Sequence, residues 1–353
     1  MNAESLTPWL DRIDFWKWEK QWQELLPTGE FPIEEIFQAI FQGDILRAIT
    51  LFWDSSIGST LEQLSVGKKW ILSVLIIGLI STLFTTMKDT FQNTQIADLA
   101  FLLHYFILVV LLTEFFEMGM ELATDILQTI TKFMELFFPT FFLVMGFSGK
   151  TVSGLFFYQL SNLVIYMFEL LLQRLLFPLL SVYILLVILN GIWGEERLKL
   201  FLELCKKFFL CVLKAAFWML TGTGALEALL GPVMDRNKAI LWEKAVDTIP
   251  GAGGVLSGTA KIWLGTAGLV KNSIGILGML FLLALTLLPL IKLFLMAISI
   301  KVVAAFLGLV GDKRIVSTTN EMGEGMLLLV KMLAIGITLF MLFVGIAAFS
   351  TVG

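Results

Sequence analysis

The sequence predicts an all-α, polytopic integral membrane protein with roughly six to eight transmembrane or re-entrant helices, since each crossing needs about 20 apolar residues. Three observations predict this class. Of 353 residues, 58% are hydrophobic, 31 are Phe and only 15% are charged, which leaves too little polar surface to wrap the apolar side chains in water. Several apolar runs are long enough to cross a hydrocarbon core. These runs are continuously apolar and lack the alternation of barrel strands, and a helix satisfies its own backbone inside lipid.

The chain divides at residue 67. Residues 1–67 read as an acidic, Trp-rich helical segment and residues 68–353 as the membrane domain. The opening MNAESLTPWLDRIDFWKWEKQWQELL holds acids, tryptophans and a proline where a signal would need a short apolar core, so no cleavable signal is visible. Trp9, Trp16, Trp18, Trp22 and Trp53 lie among Asp11, Asp14, Glu19, Glu24, Glu34 and Glu35. Tryptophan favours the headgroup zone, so the segment either lies along the membrane or forms a small helical cap with buried rings.

The first span is Trp70 to Met87, flanked by Lys68, Lys69, Lys88 and Asp89, and the second is Ile96 to Phe116. From Glu117 to Glu135 the pattern turns amphipathic, with Met118, Leu122, Ile126, Ile130 and Phe133 on one face and Glu121, Asp125 and Lys132 between them. Such a helix has one wet face and either lines a cavity or lies in the interface. Leu136 to Phe147 is short for a span, and Pro139 predicts a break or a bend there. Leu155 to Trp193 is overlong and predicts two spans meeting near Gln173 and Arg174, with Pro178 beside the junction.

Gly194 to Lys214 carries Arg197, Lys199, Lys206, Lys207 and Lys214, and the positive-inside rule puts its start in the cytoplasm. Phe208 to Leu230 forms a further span. A wet loop then leads into IPGAGGVLSG, where the spacing Gly254 to Gly258 allows close packing of backbones. In KNSIGILGMLFLLALTLLPLIKLFLMAISIKVVAAFLG, Lys271 to Gly308, Pro289 predicts two elements rather than one. Lys292 then sits at the interface, and Lys301 at the centre of the second element. Nine residues turn a helix by about 180°, so the two lysines cannot share a face. Met326 to Ser350 is the last span.

Catalytic and ligand-binding motifs do not assemble, and no catalytic, cofactor-binding or metal-binding residue is predicted. GFSGKTVSG, Gly146 to Gly154, ends like a phosphate loop, but the pattern needs a glycine where Val144 stands. A single histidine, His104, excludes a two-histidine zinc helix and is better placed to hydrogen-bond a neighbouring helix. Cys205 and Cys211, six apart, form neither a redox pair nor a metal cluster. A net charge of -4 argues against nucleic acid. Charge inside apolar runs is left as the unusual chemistry, since ionised groups in hydrocarbon cost several kcal/mol and must snorkel, pair or face water. Glu169 and Arg174, five apart on one helix, are poor partners for each other. Lys301, with Glu169 and Arg174, is therefore the candidate for a pore or subunit contact, and Glu169, Asp312, Glu321 and Glu324 are its possible partners.

The Lys271 to Gly308 stretch, the preceding IPGAGGVLSGTAKIWLGTAGLV and the earlier SGKTVSGLFFYQLSNLVIYMFELLLQRLLFPLLSVYILLVIL together resemble the stage III sporulation protein AE family of endospore-forming bacteria. The resemblance runs from about Ile33 to the C-terminus. Its most specific part is the order PGAGG, then LVKNSIGILG, then a Leu-Pro-Leu-Ile-Lys turn. Members often begin with a signal-like apolar segment, which this sequence does not show. The resemblance implies a non-enzymatic membrane component of the channel-like or secretion-like apparatus between mother cell and forespore, serving as a pore or platform. It would be placed in the mother-cell membrane surrounding the forespore. Its protein partners would be other products of the same operon, including an ATPase and ring-forming components, and a forespore-made protein; the apolar runs make the lipid bilayer a partner in any case, and a homo-oligomer stays open. Two other classes stay open on the residues alone. One is a secondary transporter, for which LLFPLLSVYILL and LTLLPLIKLFLM hint at an internal repeat; the other is a non-conducting membrane scaffold.

Overall fold

The structure, a computed structural model, describes residues 33–42, 94–147, 151–193, 198–218, 253–309 and 312–349, with a few single positions between them. Among these residues all regular structure is helical. Helix α1 spans Ile33–Phe41 and α2 Thr94–Phe147, and α3 covers Thr151–Glu169. A π-helical segment, Leu170–Leu176, carries α3 directly into α4, Phe177–Trp193. Helix α5 covers 199–218, α6 Gly253–Leu307 and α7 Lys313–Phe349.

At the centre stands an antiparallel hairpin of α6 and α7. Gly308 approaches Val316, Gly323 lies against the stem of Lys301, and Gly345 faces Met279. Each step back along α6 is thus matched by an equal step forward along α7, and this register brings Lys292 to the level of Lys331. Helix α2 packs on both hairpin arms and α1 on α6. Tyr105 meets Thr318, Gly119 meets Met326 and Phe138 meets Phe343, so α2 runs parallel to α7. The α3–α4 path runs antiparallel to α7, since Gly191 meets Thr318, Ile184 meets Gly325 and Phe168 meets Gly336.

Helical spacing of bulky side chains builds the core. Phe133, Phe137 and Phe141 recur every fourth residue of α2, and their rings stack with centroids 5.6 and 5.4 Å apart. Phe138, on the next face, packs edge-on against Phe343 at 5.7 Å, a geometry favoured by the ring quadrupole. Large rings demand small partners where helices touch. A Cβ on Gly278 would enter the ring of Phe137, and one on Gly336 the ring of Phe168, which in turn packs edge-on against Phe340 at 4.8 Å. Glycine at these positions is a packing requirement of close helix contact.

Four helical stretches among the described residues are long and apolar enough to cross a membrane: Phe101–Val144, Tyr158–Ile192, Asn272–Leu307 and Lys313–Gly345. The count of six to eight is not reached among them because the predicted breaks are absent. The amphipathic segment and Leu136 to Phe147 continue the second span as one helix, with Pro139 inside it. Pro289 likewise lies inside α6, so the Lys271 to Gly308 run is one element and not two. The expected junction near Gln173 and Arg174 is the π-helical segment, and Pro178 follows it as the second residue of α4.

The physical reason is that a proline removes one intrahelical bond, a loss of about 3 kcal/mol that packing on two neighbours outweighs in helices of this length. Ahead of Pro178 the wider turns of the π segment, where the Phe177 N–H donates to the Leu172 carbonyl, take up the disturbance. Trp70 to Met87, apart from Leu72, Ile76 and Ile80, and most of residues 1–67 lie outside the described residues. So does the second half of Phe208 to Leu230, whose first half belongs to α5. Gly254 and Gly258 fall in the first turns of α6, and their packing lies outside the described side chains.

A Gly336→Ala substitution should destabilise the fold by about 1–3 kcal/mol, as overpacking does. Gly222→Ala should change little, because a Cβ there meets nothing within 4 Å. Thermal unfolding of the two variants in detergent measures the difference.

Candidate functional site

Lys301 lies two turns before the end of α6, between buried Ile300 and Val303, and its side chain turns toward α7. Its ammonium donates to Asn320 Oδ1 at 3.0 Å and pairs with Glu324 Oε1. Asn320 and Glu324 are one helical turn apart, so a single ammonium engages both. Gly323 stands between them in sequence. The position its Cβ would occupy is only 3.1 Å from Lys301 Cγ, and glycine leaves room for the lysine stem to cross α7.

Glu321, next to Asn320, faces the other flank. Its Oε2 accepts the Tyr183 hydroxyl of α4 at 2.5 Å and the Lys206 ammonium of α5 at 2.7 Å. Lys206 also sits 5.9 Å from the centroid of the Tyr183 ring, within cation–π reach. Helices α4, α5, α6 and α7 therefore meet in one seam of two ion pairs, an amide and a phenol. The four charged side chains are 24–30% exposed, so each pair is held in a partly desolvated setting where removing one partner strands the other.

Toward the hairpin turn the polar contacts continue. The Tyr105 hydroxyl donates to the Ile188 carbonyl at 2.8 Å and lies 3.2 Å from Thr318 Oγ1, tying α2 to α4 and α7. Asp312 Oδ1 accepts the Arg314 N–H at 2.8 Å as the cap of α7. The Arg314 guanidinium stacks 3.6 Å over Phe101. Asn190 Oδ1 accepts the Leu198 N–H at 3.0 Å and fixes the start of α5.

Of the residues singled out by sequence, Lys301 belongs to this seam. Glu169, half-buried at the end of α3, and Arg174, exposed in the π segment, do not. Among the described residues no ion pair joins those two. Asn320, Tyr183 and Lys206 were missed. Asn320 carried a signal, being one turn from Glu324 in the polar first part of α7, across the turn from Lys301. Lys206 carried none, since its role depends on where α5 docks. Lys292 is half-buried at the level of exposed Lys331.

His104 is half-buried on α2. Among the described residues no group of three or more His, Cys, Asp or Glu side chains could hold a metal. The phosphate-loop-like GFSGKTVSG falls at the α2–α3 junction, and Ser148 to Lys150 lie outside the described residues. Cys205 and Cys211 are both free thiols. Burial pushes the Cys205 thiol up, which disfavours the reactive thiolate, whereas Cys211 is exposed.

Long apolar helices locked through internal ion pairs define the class: a helical protein with the make-up of an integral membrane protein. Comparison of the sequence places it more closely. The family described as stage III sporulation protein AE matches residues 31–351, and the chain belongs to that family. Stage III sporulation protein AE of Bacillus subtilis (strain 168) is 21% identical over 272 residues, covering 76% of this chain and 68% of that protein. No solved structure matches.

Lys301→Leu should cost about 1–3 kcal/mol, between the values for exposed and fully buried pairs, because Glu324 loses its counter-charge. Adding Glu324→Leu should return at least half of the lost stability, and thermal melts of the single and double variants measure the coupling. Tyr183→Phe removes one partner from Glu321 and should cost about 1–2 kcal/mol in the same assay.

Proposed function

We propose that this protein is a membrane subunit of the apparatus that joins mother cell and forespore during stage III of sporulation, serving as a pore or platform element without catalytic chemistry. It would sit in the mother-cell membrane around the forespore. Its companions there would be the other products of the operon, including an ATPase and ring-forming components, and a forespore-made protein. Membership of the stage III family supports the cellular role.

The observation that carries the platform reading is the ion-paired seam. Its two carboxylates are each engaged by a lysine, so the charge serves to lock four helices into a stiff column that can hold partners. Adding the apolar runs Trp70 to Met87 and Phe208 to Leu230 to the four long helices brings the spans to six. A transporter is the second reading, favoured by the π-helical segment ahead of Pro178, since interrupted helices mark transporter sites.

In an endospore-forming host, deletion of the gene should arrest spore development after engulfment, and a fluorescent fusion should encircle the forespore. Normal spore yield from the deletion strain, or fluorescence spread evenly over the cell envelope, would count against the reading. Planar-bilayer recording of the purified protein separates the mechanisms. Stepwise current indicates a pore, saturable solute flux a transporter, and neither a platform.

A further inference from the structure

The outward face of α2 carries Glu114, Glu117, Glu121, Asp125, Gln128, Lys132 and Glu135, all exposed. Their spacing of three and four residues keeps them on one side of the helix. The stripe spans 21 residue steps, about 32 Å at the helical rise, and holds five carboxylates against one lysine. It falls within the membrane-length stretch Phe101–Val144. Any 20-residue crossing chosen from that stretch contains at least two of these charged residues. Lys132 and Glu135 reach the level of the charge-free part of α7, Met332 to Phe349, where ionised side chains do not face hydrocarbon; Glu114 to Asp125, nearer the hairpin turn, present four carboxylates and no base, a surface that favours a cationic partner.

A complementary surface exists elsewhere on the same chain. Helix α5 turns Leu202, Phe209 and Leu213 into the core and leaves Lys207 and Lys214 exposed on a neighbouring face, with Glu203 beside them. Helix α5 runs antiparallel to α4, from the Leu198 bond to Asn190 to the packing of Lys206 on Tyr183. Since α4 is antiparallel to α7 and α2 is parallel to it, α2 and α5 point the same way.

The two surfaces also match in height. Lys207 follows Lys206, which is paired with Glu321. Glu114 and Glu117 lie between the contacts of Tyr105 with Thr318 and of Gly119 with Met326, the same level of α7. Seven residues further on, Lys214 reaches the level of Lys331, as do Glu121 and Asp125 on α2. Copies related by rotation about an axis parallel to the bundle keep their heights. Such a rotation would set Lys207 and Lys214 of one copy beside the acidic stripe of the next.

We propose that the outward face of α2 is a docking surface for a second copy of this chain, which lays the Lys207 and Lys214 face of its α5 against the Glu114 to Asp125 stripe. The contact is head-to-tail, because the two faces differ, and repeats of such a contact build closed rings or filaments. It does not depend on the sporulation role proposed above.

Native mass spectrometry of the purified full chain in nanodiscs, at low salt, tests it. Wild type should associate, and Glu117→Lys with Asp125→Lys should weaken association at least about tenfold, as should Lys207→Glu with Lys214→Glu, because each sets like charges opposite one another. Combining all four substitutions in one chain should restore association. Glu117→Gln with Asp125→Asn, which removes charge without reversing it, should give an intermediate loss, and circular dichroism confirms that each variant is folded. A monomeric wild type, including one that associates only with some other protein, overturns the proposal. Association indifferent to charge reversal, or a four-fold variant that stays apart, overturns it equally.

Discussion

The ammonium of Lys301 has one place to go, and much of the structure depends on it. It sits on a helix whose other neighbours are aliphatic, with Asn320 and Glu324 of α7 as the groups that can hold its charge. Satisfying it fixes the rotation and the register of α7 against α6, because a shift of one residue would carry both oxygens to another face. Once that register is set, Glu321 is turned toward α4 and α5, where Tyr183 and Lys206 complete the second pair. Aliphatic packing alone is tolerant of such shifts, so the seam supplies specificity that the leucines and phenylalanines around it cannot.

The lengths of the helices carry a second constraint. At the helical rise α2 and α6 are each about 80 Å long, far beyond a hydrocarbon core of about 30 Å. In the hairpin register the charge-free stretches are Asn272 to Ile291 on α6 and Met332 to Phe349 on α7, each near one bilayer thickness, with Lys292 and Lys331 at their common edge. Arg174 lies near the same height on the α3–α4 path. Basic groups on three helices thus border one apolar zone, the position in which long cationic side chains reach headgroups. The seam lies beyond that border, among side chains that are a quarter to a third exposed.

Much of this was legible in the sequence. Composition with the length and continuity of the apolar runs predicts the helical membrane class, and the wet face of α2 follows from the spacing of Glu117, Glu121, Asp125 and Lys132. Lys301 stands out because nothing near it in the chain can pair with it. The helix boundaries were not legible. Pro139, Pro289 and the Gln173–Arg174 junction each look like breaks when a run is judged against bilayer thickness, yet the chain passes through all of them as helix. A length rule treats each run in isolation, whereas lateral packing decides whether a missing hydrogen bond is tolerated. The partner of Lys301 was hidden for a related reason. Four carboxylates were possible, and the one that serves is selected by the turn at Gly308, which sets how α7 folds back.

The register of the α6–α7 hairpin is the claim on which the seam, the common border of Lys292 and Lys331, and the matched heights of α2 and α5 all rest. Met279 and Gly345, which touch far from the seam, report on it directly. With Cys205 and Cys211 replaced by serine, a chain carrying Met279→Cys and Gly345→Cys should form an intramolecular disulfide on mild oxidation, while Leu283→Cys with Gly345→Cys, one turn away, should not. A disulfide from the second pair and none from the first would contradict the account.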